Sequence, residues 1–252
     1  MKTPAKPFAR SAGLMDAHPT YAAAGGFRIV GQQIQLGTSR PHCIGAYLAR
    51  AAGTPKGGLV VVQEIFGINA HMRSVVDRFA ESGYTAIAPA FFDHVESGVE
   101  LGYDAAGFEE GRRLVGEIGL DLAVEDVAAA AAAIASAGRI GCVGYCWGGT
   151  VAMLAATRLG LPAVSYYGAR NAKFLDEAPQ ASLQFHFGER DRSIPPETVA
   201  LHRAKLPQAE VYTYPADHAF NRDVDPNAYD APSAKLALER TLAFFDRHLA
   251  SA

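Results

Sequence analysis

The chain has only three cysteines in 252 residues, and one tryptophan. Cys43, Cys142 and Cys146 cannot all pair within the chain, so a disulfide framework is excluded as its source of stability. Cys142 and Cys146 stand in a C-x3-C spacing with no second Cys/His pair nearby, which makes a poor zinc motif. The spacing is not the C-x-x-C of a redox site either, and reduced thiols fit a cytoplasmic protein. Blocks of lysine or arginine are also missing, and the formal net charge is −3, so nothing recommends a nucleic-acid partner. No apolar run approaches the roughly 18 residues that would cross a bilayer, so no membrane partner is expected. The basic start "MKTPAKPFAR" is not followed by an apolar stretch, which argues against a secretory signal.

What is present is an ordinary globular composition, 49% hydrophobic and 19% charged. Residues 1–26 are rich in Ala, Gly and Pro without periodicity and read as an irregular arm. From 27 to 252 no composition shift or repeat divides the chain, so a single domain is expected, with a monomer favoured. "QIQLG" and "HCIGAYLAR" alternate like a hairpin around "TSRP". Leu59 to Val62 and "YTAIAP" are short apolar runs suited to strands buried on both faces. Between them, Asn69 caps an expected helix over "AHMRSVVDRFAESG", with Gly83 as its stop.

The segment from Ala90 to Gly119 is polar and glycine-punctuated, only partly helical, and too long for a simple connection. It reads as an excursion with functional content. A long alanine-rich helix follows, started by an aspartate cap and ended at Gly138. Then come strand "RIGCVGY", helix "WGGTVAMLAATRLG", strands "PAVSYYG", "ASLQFHFGERD" and "AEVYTYP", and closing helix "SAKLALERTLAFFDRHLA". This alternation predicts an α/β fold, a mainly parallel sheet with helices on both faces.

In such sheets sites form at the carboxyl ends of strands. That rule selects Cys146, Asp191 and His218, whose chain order of nucleophile, acid and histidine is that of α/β-hydrolases. Gly144, Cys146 and Gly148 form a G-x-C-x-G elbow, where flanking glycines leave room for a sharp strand-to-helix turn. The bland alternative is a small buried residue on a tight turn, and Cys142, inside the strand, takes that reading. His218 is placed to exchange a proton near the sulfur, with Asp191 orienting the imidazole; Asp217 and Glu189 are rival acids. An oxyanion needs two backbone N–H donors, and Trp147 and Ile65 stand at the two expected places. Glu64, at the end of a buried strand, is either a structural ion-pair partner or a working acid. Phe66 and Tyr145 flank these positions and are read as substrate-contacting.

The motifs "QEIFG", "GYCWGG", "GERD" and "DHAFNR" make the chain, from about Gly58 to its last helix, resemble the dienelactone hydrolase (carboxymethylenebutenolidase) family of α/β-hydrolases. The resemblance implies cofactor-free, metal-free opening of a dienelactone ring to a maleylacetate, a step in chloroaromatic degradation. It implies Cys146 as nucleophile, Asp191 and His218 as its partners, Glu64 as the acid that helps activate the thiol, and Arg222 as the clamp on a substrate carboxylate. Guanidinium suits that task because it meets a carboxylate with paired hydrogen bonds. Two departures stand out. His94 occupies the place of the family's second carboxylate-binding arginine, and Trp147 replaces a smaller apolar residue. The expected substrate is a small lactone or ester. A broader carboxylesterase or thioesterase and a non-catalytic ligand-binding homologue are the alternatives, with a thiol-redox role more distant.

Overall fold

Every residue of the runs Gly58–Val62 (β3) and Thr85–Pro89 (β4) is buried, as β-branched and small apolar stretches must be when both sheet faces are covered. The computed structural model describes residues 29–250; the expected arm at 1–26 lies outside them. The remaining strands are Gln32–Leu36 (β1), Ile44–Ala49 (β2), Ile140–Tyr145 (β5), Ala163–Tyr166 (β6), Leu183–Gly188 (β7) and Glu210–Tyr214 (β8). They form one eight-stranded sheet in the order β1-β2-β4-β3-β5-β6-β7-β8. β1 and β2 pair antiparallel, β2 meets β4 antiparallel, and all other pairs are parallel. The carboxyl ends of β3, β5, β7 and β8 therefore share one edge, where the loops carrying Glu64, Cys146, Asp191 and His218 emerge.

The expected hairpin is present, with Leu36 opposite Ile44 across the turn. Helix Ala70–Glu81 (α1) starts where the sequence placed it: Asn69 accepts from the Met72 amide at 3.2 Å. It buries Met72, Val75, Val76 and Phe79, and truncating Phe79 to Ala in such a core costs about 3–5 kcal/mol. Gly83, at φ 97°, provides the left-handed turn that ends it.

One helix differs from expectation. Ala105–Ala133 (α2) is a single span broken at Gly119, where φ 73° and ψ 172° leave the helical region. Its capping aspartate is Asp104, which accepts from Gly107 at 2.8 Å. Asp121, nearer the alanine-rich run, lies inside the span and pairs with Arg158 at 2.8 Å. The alanine-rich half and the glycine-punctuated half thus belong to one element bent at one residue. Trp147–Arg158 (α3) is buried along nearly its whole length, Pro196–Lys205 (α4) sets His202 against Phe185 and Phe187 of β7, and Ala231–Leu249 (α5) is capped by Asp230.

Candidate active site

The elbow between β5 and α3 is as tight as its glycines suggested. Cys146 has φ 56° and ψ −116°, a conformation that strains any residue with a Cβ. A Cβ on Gly144 would stand 1.8 Å from the Gly148 carbonyl oxygen, and one on Gly148 would stand 2.4 Å from that of Gln63. Neither position admits another residue without moving backbone. The Cys146 amide donates to Tyr166 O, and its carbonyl accepts from Gly149, each at 3.0 Å; these bonds hold the strained residue in place. The thiol is half-buried at the N-terminus of α3, where the helix dipole favours negative charge. Cys142 is fully buried in β5, and burial pushes its thiol well up, so it is an inert core residue.

Asp191 and His218 meet at the ends of β7 and β8. His218 Nδ1 lies 2.6 Å from Asp191 Oδ2, and Asp191 Oδ1 accepts from the Ser193 amide at 2.8 Å. With its side chain fully buried, the carboxylate is fixed at both oxygens. The rivals are otherwise placed: Asp217 pairs with Arg190 at 3.2 Å and Glu189 is exposed. Burial works to lower the His218 pKa, but the Cys146 sulfur and the Asp191 carboxylate outweigh it and push His218 up to about 10. A cleft of about 280 Å³, lined by Asp191, Ser193, His218 and Asp225 among others, opens next to the pair.

Glu64 leaves the end of β3 into a second buried pair. Arg222 donates to it from Nε at 3.0 Å and Nη2 at 2.9 Å, and from Nη1 to Asp225 at 3.2 Å. The guanidinium also lies 4.3 Å from the Tyr103 ring centroid and 5.1 Å from that of Phe66. Burial opposes the charge, yet Glu64 holds Arg222 more firmly protonated than usual. The backbone N–H groups of Ile65 and Trp147 have no hydrogen-bond partner among the described residues.

A model of the dienelactone hydrolase family matches residues 44–249. The chain belongs to that family. It is 33% identical over 215 residues to the carboxymethylenebutenolidase of Pseudomonas putida, an alignment covering 81% of this chain and 91% of the other. The enzyme of that name from Pseudomonas knackmussii matches to the same extent. A crystal structure from Klebsiella pneumoniae, provisionally assigned as a dienelactone hydrolase, superposes with a TM-score of 0.75 at 32% identity, covering 86% of this chain and 98% of that one. The protein is thus a carboxylic ester hydrolase of α/β-hydrolase fold, and no helix among its described residues is long and apolar enough to cross a membrane.

Within this dienelactone hydrolase family member, the departures noted in the sequence take definite positions. His94 does not join Arg222. Its Nε2 lies 2.8 Å from Asp126 Oδ2 and its Nδ1 3.0 Å from His42 Nε2, so both ring nitrogens are engaged and the ring is 5% exposed. The reason is α2, which brings Asp126 over the short helical turn Phe91–His94. Trp147 is buried, its ring 5.5 Å from Phe91 in an edge contact, so the larger side chain fills space under that same turn. Tyr145 is buried against Tyr166 and Tyr167.

Three further residues in the site went unselected in the sequence. Tyr167 directly follows β6, with φ 39° and its ring 4.9 Å from that of His218. The strand-end rule could have found it in "SYYG". Tyr103 and Asp225, which surround Arg222, lie in loops where no local pattern marks them.

Proposed function

We propose that this family member hydrolyses a small, carboxylate-bearing enol-lactone of dienelactone type through an acyl-enzyme on Cys146. The observation that carries this reading is the His218–Asp191 hydrogen bond of 2.6 Å, formed at the same carboxyl edge of the sheet as the strained Cys146 elbow. The Cys146 thiolate attacks the lactone carbonyl, and the N–H groups of Ile65 and Trp147 receive the oxyanion. Collapse of the tetrahedral adduct breaks the ring C–O bond. The expelled enolate is a good leaving group, so it needs little acid assistance before it takes a proton and becomes the ketone. His218, oriented by Asp191, then removes a proton from water as it attacks the thioester. Cys146 leaves as thiolate and the ring-opened acid is released.

Arg222 is the group that would meet the substrate carboxylate, with Glu64, now its partner, released toward the thiol. A carboxylate arriving at the guanidinium keeps Arg222 paired, and the displaced Glu64 carboxylate is neutralised by taking the proton of the Cys146 thiol, which becomes the thiolate. A second reading, a broader esterase acting on neutral substrates, is favoured by one observation. Arg222 already carries two carboxylates, and His94, which stands at the place of the family's second arginine, is engaged elsewhere.

A substrate panel separates the two. Dienelactone isomers and p-nitrophenyl acetate are compared as substrates of wild type and Cys146→Ala. A kcat/KM for dienelactone far above that for the neutral ester, lost in the variant, supports the first reading. Comparable values on both substrates support the second. Turnover that survives Cys146→Ala would overturn both.

A further inference from the structure

The later part of the excursion Ala90–Gly119 gathers on the backbone from Glu64 to Asn69. Gly67 bridges to Glu100, and the Leu101 amide donates to Phe66 O at 2.9 Å. Asn69 donates from Nδ2 to Leu101 O at 3.4 Å and to the Tyr103 hydroxyl at 3.0 Å. Arg73 ties Ile68 O to Glu100, each at 2.6 Å. The closest approach comes from α2. A Cβ built on its buried Gly111 would stand 1.9 Å from the Ile65 carbonyl oxygen and 3.0 Å from the Ile65 carbonyl carbon. Helix backbone thus rests directly on the peptide that follows the Ile65 N–H. Gly116, on the same half of α2, faces open space with nothing within 4 Å.

We infer that the excursion is a brace for the oxyanion loop and that Gly111 is its positioning residue. This rests on the reading of Ile65 N–H as an oxyanion donor. The physical argument is steric. Real Cβ contacts essentially never fall below 3.0 Å, so alanine at 111 must shift the helix or rotate the Ile65 peptide by about 1 Å. A donor displaced by about that much can cost about 100-fold in rate, and removing one oxyanion donor altogether costs about 10²–10³-fold. The thiol, held by β5, β6 and α3, lies on different elements and is left where it was.

The experiment compares two reactions of the same sulfur. Acylation by p-nitrophenyl acetate builds an oxyanion, whereas alkylation by iodoacetamide displaces iodide at a saturated carbon and builds none. Both are followed at Cys146 by peptide mass mapping, which separates it from the exposed Cys43. Gly111→Ala should acylate about 10–100-fold more slowly than wild type while alkylating at the wild-type rate. Gly116→Ala should match wild type in both. If Gly111→Ala does not fold, Arg73→Ala releases Ile68 O and Glu100 from the surface side, and the same split at smaller amplitude is expected. Acylation unchanged in the variant, or both reactions slowed alike, would overturn the brace. Wild type that alkylates but never acylates at Cys146 would instead overturn the proposed function.

Discussion

Glu64 and Arg222 face each other through two parallel hydrogen bonds, with the carboxylate 1% and the guanidinium 9% exposed. A pair so deeply buried is costly to create and costlier to break, because removing one partner strands the other's charge. Arg222→Ala should therefore destabilise the protein by about 3–5 kcal/mol. Glu64→Leu combined with Arg222→Met should recover most of that loss. Urea unfolding of wild type and the two variants checks this, and a double variant no more stable than Arg222→Ala would contradict it.

Arg222→Lys keeps the charge and loses the fork of donors. It should raise KM for carboxylate-bearing lactones and leave neutral aryl esters nearly unchanged. Initial-rate kinetics on one substrate of each kind decide the matter. Equal effects on the two would show that Arg222 does not hold the substrate.

Cys146 is held at φ 56°, where glycine alone is unstrained. Cys146→Gly should accordingly be more stable than Cys146→Ala, although glycine normally weakens a folded chain. The expected difference is about 1 kcal/mol, and both variants should be inactive. Thermal unfolding of the pair measures it. A more stable alanine variant would mean that the elbow relaxes when the thiol is absent.

His218 is pushed up to about 10 in the folded protein, against about 6.5 for a free imidazole. The folded state thus binds this proton more tightly than the unfolded chain does. Its contribution to stability is fully present below about pH 6.5 and is lost as pH rises through about 10. Urea midpoints measured from pH 6 to 10.5 should fall for wild type and fall less for His218→Gln. Parallel curves would remove His218 from the pH dependence.

Burial likewise raises Asp126 above the usual carboxylate range, with His94 working against the shift, and its Oδ1 has no partner among the described residues. The stability it contributes is present below about pH 4 and is lost as the pH rises and the buried carboxyl ionises. Asp126→Asn should escape that loss and gain on wild type between pH 4 and 8, as differential scanning calorimetry would record. A constant offset across that range would refute the assignment.

Much of this was legible in the sequence because local rules and the fold agree. The elbow is written in glycines whose replacement would collide with backbone at Gly148 and Gln63. Asn69 announces α1 with a cap that the structure makes, and the strand ends place Asp191 and His218 without further help. Legibility stopped where partners come from elsewhere in the chain. Nothing near His94 foretold that Asp126, on α2, would engage it. The cage around Arg222 draws Tyr103 and Asp225 from separate loops, and the single bent span of α2 hides behind a glycine that reads equally well as a terminator.

That bend at Gly119 divides labour within one helix. Ahead of it, α2 rests on the Ile65 carbonyl; beyond it, Asp126 engages His94 of the Phe91–His94 turn. A reversal of backbone sign at one residue gives the helix two bearings, one for the half that approaches Ile65 and one for the half that carries Asp126. Residues 90–118 are therefore a coupling and not a detachable part: Phe91 meets Trp147 and His94 meets Asp126, so a change in this stretch is felt both beside Cys146 and in the rear half of the helix.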